Sequence, residues 1–273
     1  MALFNLFLFT VLLSAVIFLF FYINHLHENK IKEKRQSQGL HILKNFRLLL
    51  TAVQQHRGLS MGYLNGDDTL LKRIDPLEKK INQKIREINL EKEWLKDNLM
   101  WVGINDHWLR LLINYTKYER EYNFRQHCNL IKNLLILIED CAVQHHLQKL
   151  VSSNKQDTNF LWSQLLMTAE YIGQARAIGT SIAALKSSSR VQQIQLNYLQ
   201  NCINESLAKP NHQLDSALIV KFLNTINNEI LVTPPNMSAE EFFNLATSVI
   251  DALLAMSDDY LNNLQKTLNS SNH

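Results

Sequence analysis

Glycine and proline are scarce in this chain, and their scarcity excludes folds that need many tight turns. Only seven glycines and four prolines occur among its 273 residues. Sheets and loop-rich domains use these residues at frequent turns, whereas Leu, Asn, Gln and Lys are abundant here. With 46% hydrophobic residues, the chain also has enough apolar surface for a substantial core. The composition therefore predicts long helices rather than a sheet.

Cysteine and net charge are also low. The three cysteines, Cys128, Cys141 and Cys202, include no C-x-x-C pair and are odd in number, which is typical of free thiols in a reducing compartment. The net charge is +3, and the basic residues are dispersed among acidic ones rather than clustered beside aromatic residues. Such a distribution gives nucleic-acid binding little support.

Motifs of catalysis and metal binding are missing as well. The sequence contains no G-x-S-x-G, phosphate loop, H-E-x-x-H or dinucleotide-binding fingerprint. The histidine pairs His145-His146 and His25-x-His27 do not place two imidazoles on one helix face, and no set of carboxylates or cysteines completes a zinc site. We therefore expect no enzyme activity, no metal site and no cofactor.

One long apolar run is present at the N-terminus. Residues 2–23 are apolar except for four polar residues, and a helix of that length spans the ~30 Å hydrocarbon layer of a bilayer. A cleaved signal peptide is the alternative, but no basic segment precedes the run, the run is longer than usual, and no A-x-A site follows it. The sequence predicts a single transmembrane helix that contacts lipid through residues 2–23.

Basic residues follow this run but do not precede it. Four basic residues come just after it: Lys30, Lys32, Lys34 and Arg35. Two acidic residues accompany them, Glu28 before Lys30 and Glu33 between Lys32 and Lys34. The positive-inside rule then places the rest of the chain in the cytoplasm. A periplasmic location is the alternative.

Helical periodicity continues after the membrane segment and predicts eight helices in two groups of four. The predicted helices lie near 26–64, from Pro76 through Ile88, near 106–122 and 124–151 in the first group, and near 158–185, 188–208, 212–231 and 238–268 in the second. We expect turns at Asn65–Asp68, Gly103–Asp106, Lys209–Asn211 and Thr233–Asn236, and a capping box at Ser238–Glu241.

The polar segment 152–157 marks the boundary between the two groups. The predicted fold is all-α, with an N-terminal transmembrane helix followed by two packed antiparallel four-helix bundles. Residues 24–45 form a linker or helix extension, and residues 46–268 form the domain. Bundle one covers about 46–151 and bundle two about 157–268.

Each group has an arginine on the apolar stripe of its first helix. Arg57 follows Phe46, Leu50 and Val53 at helical spacing, and Arg176 follows Ile172 on the fifth helix. A buried guanidinium needs a negative partner. That partner is either an internal carboxylate, with Glu170 and Asp251 as candidates, or a bound anion. Neutral donors near the two arginines are Gln55, Ser60, Gln174 and Thr180.

Five of the seven glycines lie close to these two arginines. They are Gly58, Gly62, Gly66, Gly173 and Gly179. A glycine inside a helix costs about 0.8–1 kcal/mol, so we interpret them as helix-packing positions where two backbones approach closely. Such packing leaves a gap for a compact anion between the two guanidinium groups.

Three segments resemble the nitrate- and nitrite-sensing (NIT) domain of bacterial regulators and receptors. Gln55–Leu64 is similar to the family's Q-x-E-R-G-x-S stretch, Gly173–Ala177 to its G-Q-E-R-A stretch, and Phe242–Asp251, which contains Thr247, to its closing segment. The resemblance implies an all-helical domain of two four-helix bundles in a protein of the bacterial inner (cell) membrane. It also implies that Arg57 and Arg176 bind nitrate or nitrite between the bundles, which suits the planar guanidinium fork.

The expected function is that of a membrane-anchored sensor. Anion binding would shift the two bundles towards a closed arrangement, and the signal would pass to a separate protein partner, because no output module follows residue 268. The alternative is a ligand-free helical scaffold tethered to the membrane. The anion, the partner and the oligomeric state, with a homodimer as one option, stay open at this point.

Overall fold

The computed structural model describes residues 1–150, 160–208 and 216–270, and nearly all of them are helical. The helices are α1 (Ala2–Leu64), α2 (Leu71–Asn89), α3 (Lys92–Leu95), α4 (Leu99–Asn114), α5 (Arg120–Gln144), α6 (Leu166–Leu185), α7 (Arg190–Ala208), α8 (Ser216–Thr225) and α9 (Ala239–Ser270). Short 3₁₀ turns cover Asp68–Leu70, Tyr115–Lys117 and Leu147–Lys149, and short π-helices cover Leu161–Leu165 and Ile226–Ile230. No strand occurs in these three described ranges. The all-α prediction is confirmed.

Helix α1 joins the apolar N-terminal run to the packed part of the protein without a break. Its 63 residues correspond to a rod of about 95 Å at 1.5 Å per residue. The side chains from Phe7 to Ile23 are exposed, and packing against other helices begins near Gln36, ten residues before the expected domain start at 46. The N-terminal part of α1 is long and apolar enough to cross a membrane.

Two helix ends match the turn and capping residues predicted from the sequence. Gly66 has φ of +101°, a conformation that side-chain-bearing residues rarely adopt, and it lies in the turn after α1. At the start of α9 the Glu241 N–H donates to Ser238 Oγ (3.2 Å) and the Ser238 N–H donates to Glu241 Oε2 (3.0 Å). The predicted capping box is therefore confirmed.

Two predicted helix starts are wrong. Helix α2 begins at Leu71 and contains Pro76 in its second turn, because Asp67 caps the preceding 3₁₀ turn by accepting the Thr69 N–H at 3.1 Å. The predicted turn at Gly103–Asp106 lies inside α4, because Asn98 caps that helix earlier by accepting the Trp101 N–H at 3.0 Å.

Other predicted bounds change or fall outside the described residues. The predicted helix at 106–122 ends at Asn114, and α5 begins at Arg120. The described part of the helix predicted at 212–231 comprises α8 and the π-helix that follows it. The boundary at 152–157 and the turn at Lys209–Asn211 lie outside the described residues.

The helices pack in two groups, which meet at α1 and α5. Helix α1 packs against α2 and α5, and α4 packs against α5, whereas α6 packs against α7 and α9. Helix α1 also contacts α9, where Arg47 Nη2 donates to Asp258 Oδ2 at 2.5 Å and to the Leu254 carbonyl at 3.1 Å. Arg57 and Arg176 lie where α1, α6 and α9 come together.

Candidate functional site

Arg57 of α1 forms a two-pronged ion pair with Glu170 of α6. The distances are 2.5 Å from Nη1 to Oε1 and 3.1 Å from Nη2 to Oε2. Both residues are only 2% exposed. Burial alone would lower the pKa of Arg57, but the charge of Glu170, the neighbouring Cys128 and the hydrogen bonds to both together outweigh burial and raise it, so Arg57 is charged and forms an ion pair with Glu170. The internal carboxylate considered in the sequence is thus the partner of Arg57.

Two glutamine amides complete the shell around the Glu170 carboxylate. Gln54 Nε2 donates to Oε2 at 2.9 Å, and Gln174 Nε2 donates to Oε1 at 2.8 Å. With the two bonds from Arg57, four donors converge on two oxygen atoms. The carboxylate therefore occupies a site built for a planar anion with one negative charge.

Gly173 leaves the space that the Arg57 guanidinium fills. A Cβ atom at this position would lie 2.8 Å from Nη2 of Arg57, which is too close for a carbon atom. The same guanidinium lies 5.5 Å from the ring centre of Phe124, and its Nη1 donates to Sγ of Cys128 at 3.3 Å. Every side of Arg57 is thus occupied by protein groups.

Arg176 of α6 has a different environment. It is half-buried, its Nη1 donates to Oγ1 of Thr247 on α9 at 2.8 Å, and its guanidinium lies 4.7 Å from the ring centre of Phe243. Across the described part of the chain, no carboxylate lies within the 4.0 Å of an ion pair with it. Burial, followed by the positive charge of Arg57, lowers the pKa of Arg176 to about 10, against the opposite effect of Asp251 and Glu170.

The structure brings some of the expected supporting residues together and separates others. Thr247 accepts from Arg176, and Thr180, one turn after Arg176, has a buried Oγ1 with no hydrogen-bond partner among the described residues. Gln55, expected as a donor near Arg57, is exposed, and the neighbouring Gln54 is the buried donor instead. Ser60 donates to the Arg57 carbonyl at 3.2 Å, so its hydroxyl does not point towards the guanidinium groups.

The five glycines expected at helix contacts have different surroundings. Gly173 accommodates Arg57, Gly179 lies against the ring of Phe242, and Gly62 lies against the side chain of Leu70. A Cβ atom added to Gly58 would meet none of the described atoms within 4 Å, and Gly66 lies in the turn after α1. Where these glycines make close contacts, they make them with side chains rather than with a second backbone.

Four contributors to the site were not identified as site residues in the sequence. They are Gln54, Phe124, Cys128 and Phe243. The apolar stripe indicates which face of α1 is buried, but Gln54 and Gln55 are adjacent, and one residue is a rotation of about 100° on a helix. Phe243, the aromatic residue beside Arg176, belongs to the segment Phe242–Asp251 but has no sequence feature of its own that indicates this contact.

Comparisons with protein-family models, with curated proteins and with solved structures give no match to this chain. Among the described residues, no group of three or more His, Cys, Asp or Glu side chains is arranged to hold a metal ion.

Proposed function

We propose that this protein is a membrane-anchored helical sensor that binds a small planar anion, nitrate or nitrite, at Arg176. In this proposal the helices form two four-helix bundles, α1 provides the single transmembrane segment, and the sensor domain is cytoplasmic. The proposal rests on one observation above all: Arg176 is a half-buried guanidinium without a carboxylate partner in the described ranges. The resemblance of the surrounding segments to nitrate- and nitrite-sensing domains supports the choice of anion.

Electrostatics favour an anion at this position. The charge of Arg57 is balanced by Glu170 at 2.5 Å, whereas Arg176 lies close enough to Arg57 for the second positive charge to lower its pKa. An anion beside Arg176 would balance that uncompensated charge and accept hydrogen bonds from the guanidinium. Thr180, whose buried hydroxyl lacks a partner among the described residues, is available as a further donor.

A continuous set of contacts leads from this position to the membrane segment. Arg176 on α6 contacts Thr247 and Phe243 on α9, and α9 is joined to α1 through Asp258 and Arg47. Helix α1 continues without a break to the N-terminus. An anion that changes the packing of α6 against α9 would therefore shift the position of α1, to an extent set by its differential affinity for the two arrangements.

Titration calorimetry on the full chain in detergent micelles tests this function. We expect heat with nitrate or nitrite, less with chloride, and a loss of about 10-fold or more in affinity for Arg176→Gln, because a hydrogen bond from a charged donor contributes about 1.5–3 kcal/mol. Arg110→Gln, at an exposed arginine paired with Asp106 on α4, is the matched control. No heat with any of these anions would overturn the proposal, and so would equal binding by Arg176→Gln and Arg110→Gln.

A ligand-free scaffold is the second candidate, and two observations favour it. The fork of Arg57 is already saturated by Glu170, and α7 exposes an apolar stripe of Val191, Ile194 and Tyr198 at helical spacing. A scaffold would hold its protein partner through such a face. Co-purification from cells separates the two functions, because a scaffold should retain its partner equally with and without nitrate.

A further inference from the structure

A second buried polar cluster lies one residue from Arg57 and joins three helices. His56 of α1 and His127 of α5 are both 0% exposed. Nδ1 of His56 lies 2.8 Å from Nε2 of His127. The other ring nitrogen of His56, Nε2, lies 3.2 Å from Oε1 of Glu78 on α2. The other ring nitrogen of His127, Nδ1, lies 2.8 Å from the carbonyl oxygen of Asn123.

The direction of each hydrogen bond in this series can be assigned by starting from the Asn123 carbonyl. The Asn123 carbonyl can only accept, so Nδ1 of His127 carries a proton. Burial, followed by the nearby charge of His56, holds the pKa of His127 well below its usual range, so this ring is neutral and its Nε2 is an acceptor. Nδ1 of His56 must then donate to it.

The remaining nitrogen of His56 faces a carboxylate. A neutral His56 that donates through Nδ1 would direct the lone pair of Nε2 at Oε1 of Glu78, which is repulsive. The contact becomes attractive only when an additional proton lies between these two atoms. Because an imidazole is ordinarily more basic than a carboxylate, that proton belongs on the ring.

We propose that His56 is an imidazolium held between His127 and Glu78, and that this buried proton-binding site makes the packing of α1 against α2 and α5 sensitive to pH. Loss of the proton would place a lone pair against the Glu78 carboxylate. A second proton, on His127, would place two N–H groups against each other. Only the state with one additional proton satisfies all three contacts.

The other titratable groups around the cluster agree with this assignment. Tyr115, in the turn after α4, hydrogen-bonds to Glu78, and burial followed by the charges of Glu78 and Asp75 raises its pKa, so it stays neutral and donates. On α4, burial lowers the pKa of His107, which keeps that ring neutral as well.

Two further groups face the cluster from α1 and α5. Arg57 acts on His127 as a positive charge but is balanced by Glu170. Burial raises the pKa of the Cys128 thiol to about 11, so it contributes no charge. The rings of Trp108 and Tyr115 cover His56 edge-on, at 5.1 and 4.9 Å between ring centres. Glu78 is therefore the carboxylate in contact with His56 in the described structure.

Long-range ¹H–¹⁵N NMR spectra of the full chain, labelled with ¹⁵N-histidine in detergent micelles, test the proposal directly. Spectra of His56→Gln and His127→Gln assign the two rings. At pH 7 we expect both nitrogens of His56 to be protonated and His127 to be neutral with its proton on Nδ1. A neutral His56 at pH 7 would overturn the proposal, and this result needs only the wild-type fold.

Glu78→Gln provides the matched variant. A glutamine amide can donate to the bare Nε2 of a neutral His56, so the contact no longer needs the additional proton, and His56 should become neutral. Retention of the imidazolium in this variant would contradict the role given to Glu78.

Unfolding as a function of pH gives an independent measurement. Where the folded wild type holds one proton more than the unfolded chain, its unfolding equilibrium constant should rise tenfold per pH unit, so stability falls as pH rises. Glu78→Gln should lose this slope, and Glu139→Gln, at an exposed position on α5, should retain it. A wild-type slope equal to that of Glu78→Gln would also overturn the proposal. None of these measurements involves an added anion, so their outcome is separate from that of the proposed sensor function.

Discussion

Replacing Glu170 with alanine should turn its carboxylate site into a cavity that nitrate can fill. The substitution removes the acceptor of four donors, two from Arg57 and one each from Gln54 and Gln174. Nitrate is planar and singly charged, as a carboxylate is, and a guanidinium fork binds both. We therefore expect Glu170→Ala to be strongly destabilised and to recover stability when nitrate is added.

The size of both effects can be stated. Removing one partner of a buried ion pair costs about 3–5 kcal/mol, because the other charge is left uncompensated, and the 2% exposure of both residues places this pair in that class. In a domain of this size each kcal/mol lowers the melting temperature by about 2–4 °C, which gives a drop of roughly 6–20 °C. Nitrate at 100 times its dissociation constant should restore about 2.7 kcal/mol.

Thermal unfolding of the full chain in detergent micelles, followed by circular dichroism, measures both effects. Nitrate, nitrite, acetate and chloride are compared at matched ionic strength, and Glu139→Ala, at an exposed position on α5, is the control. In the double variant Arg57→Ala, Glu170→Ala the recovery by nitrate should fall to the small effect that nitrate has on Glu139→Ala, because only the separate position at Arg176 remains. A destabilisation below about 1 kcal/mol, the range of exposed ion pairs, would refute the buried pair. An equal effect of nitrate on Glu170→Ala and Glu139→Ala would refute the anion-shaped site.

Three further predictions concern other residues of the same region. Gly173→Ala should destabilise the chain by about 1–3 kcal/mol, because its Cβ would lie 2.8 Å from Nη2 of Arg57, whereas Gly58→Ala, with open space around it, should stabilise the chain by about 0.5–1 kcal/mol. A change of the same sign for both variants in the free energy of unfolding, measured with denaturant, would contradict the different surroundings of the two glycines. Arg47→Ala should cost about 1.5–3 kcal/mol through the loss of its bond to Asp258, and a double-mutant cycle with Asp258→Ala showing no coupling would count against the link between α1 and α9. The pKa of Arg176 is about 10 in the folded chain against an ordinary value of 12.5, so above pH 10 the unfolded chain binds more protons than the folded chain and stability rises with pH. Arg176→Met should therefore be more stable than wild type at pH 7, and the difference in their free energies of unfolding should narrow through pH 10. A constant difference would contradict the lowered pKa.

The helices could be predicted from the sequence because their determinants are local. Apolar spacing, the scarcity of glycine and the capping box at Ser238 act over one or two helical turns, and they indicated α1 and α9 with nearly the observed bounds. The errors occurred where two local preferences conflict. Pro76 and Gly103 are usual helix boundaries, but Asp67 caps the 3₁₀ turn that leads directly into α2, and Asn98 caps α4 several residues before Gly103.

The charge pairing of the site could be predicted only in part. The apolar stripe indicated that Arg57 is buried and that its partner is a carboxylate or an anion, and Glu170 was one of two internal candidates. The choice between them depends on the relative rotation and height of α1 and α6, which lie more than 100 residues apart in sequence. The same limit applies to His56, whose partners on α2 and α5 are set by tertiary packing and have no helical spacing to it.

In the proposed sensor, Arg57 and Arg176 have different roles. Arg57 and Glu170 form a closed pair that fixes α6 against α1 without any ligand. Arg176 has no counter-charge of its own in the described ranges, so burial and the charge of Arg57 both act against it in the free state. Under the proposed function, an anion bound beside Arg176 would relieve that unfavourable interaction. The relief would add to the difference in the anion's affinity between the two proposed packings of α6 on α9. Since a ligand can shift an equilibrium only by its differential affinity, the proposed sensor would respond more strongly to the anion with an uncompensated arginine than with a second closed ion pair.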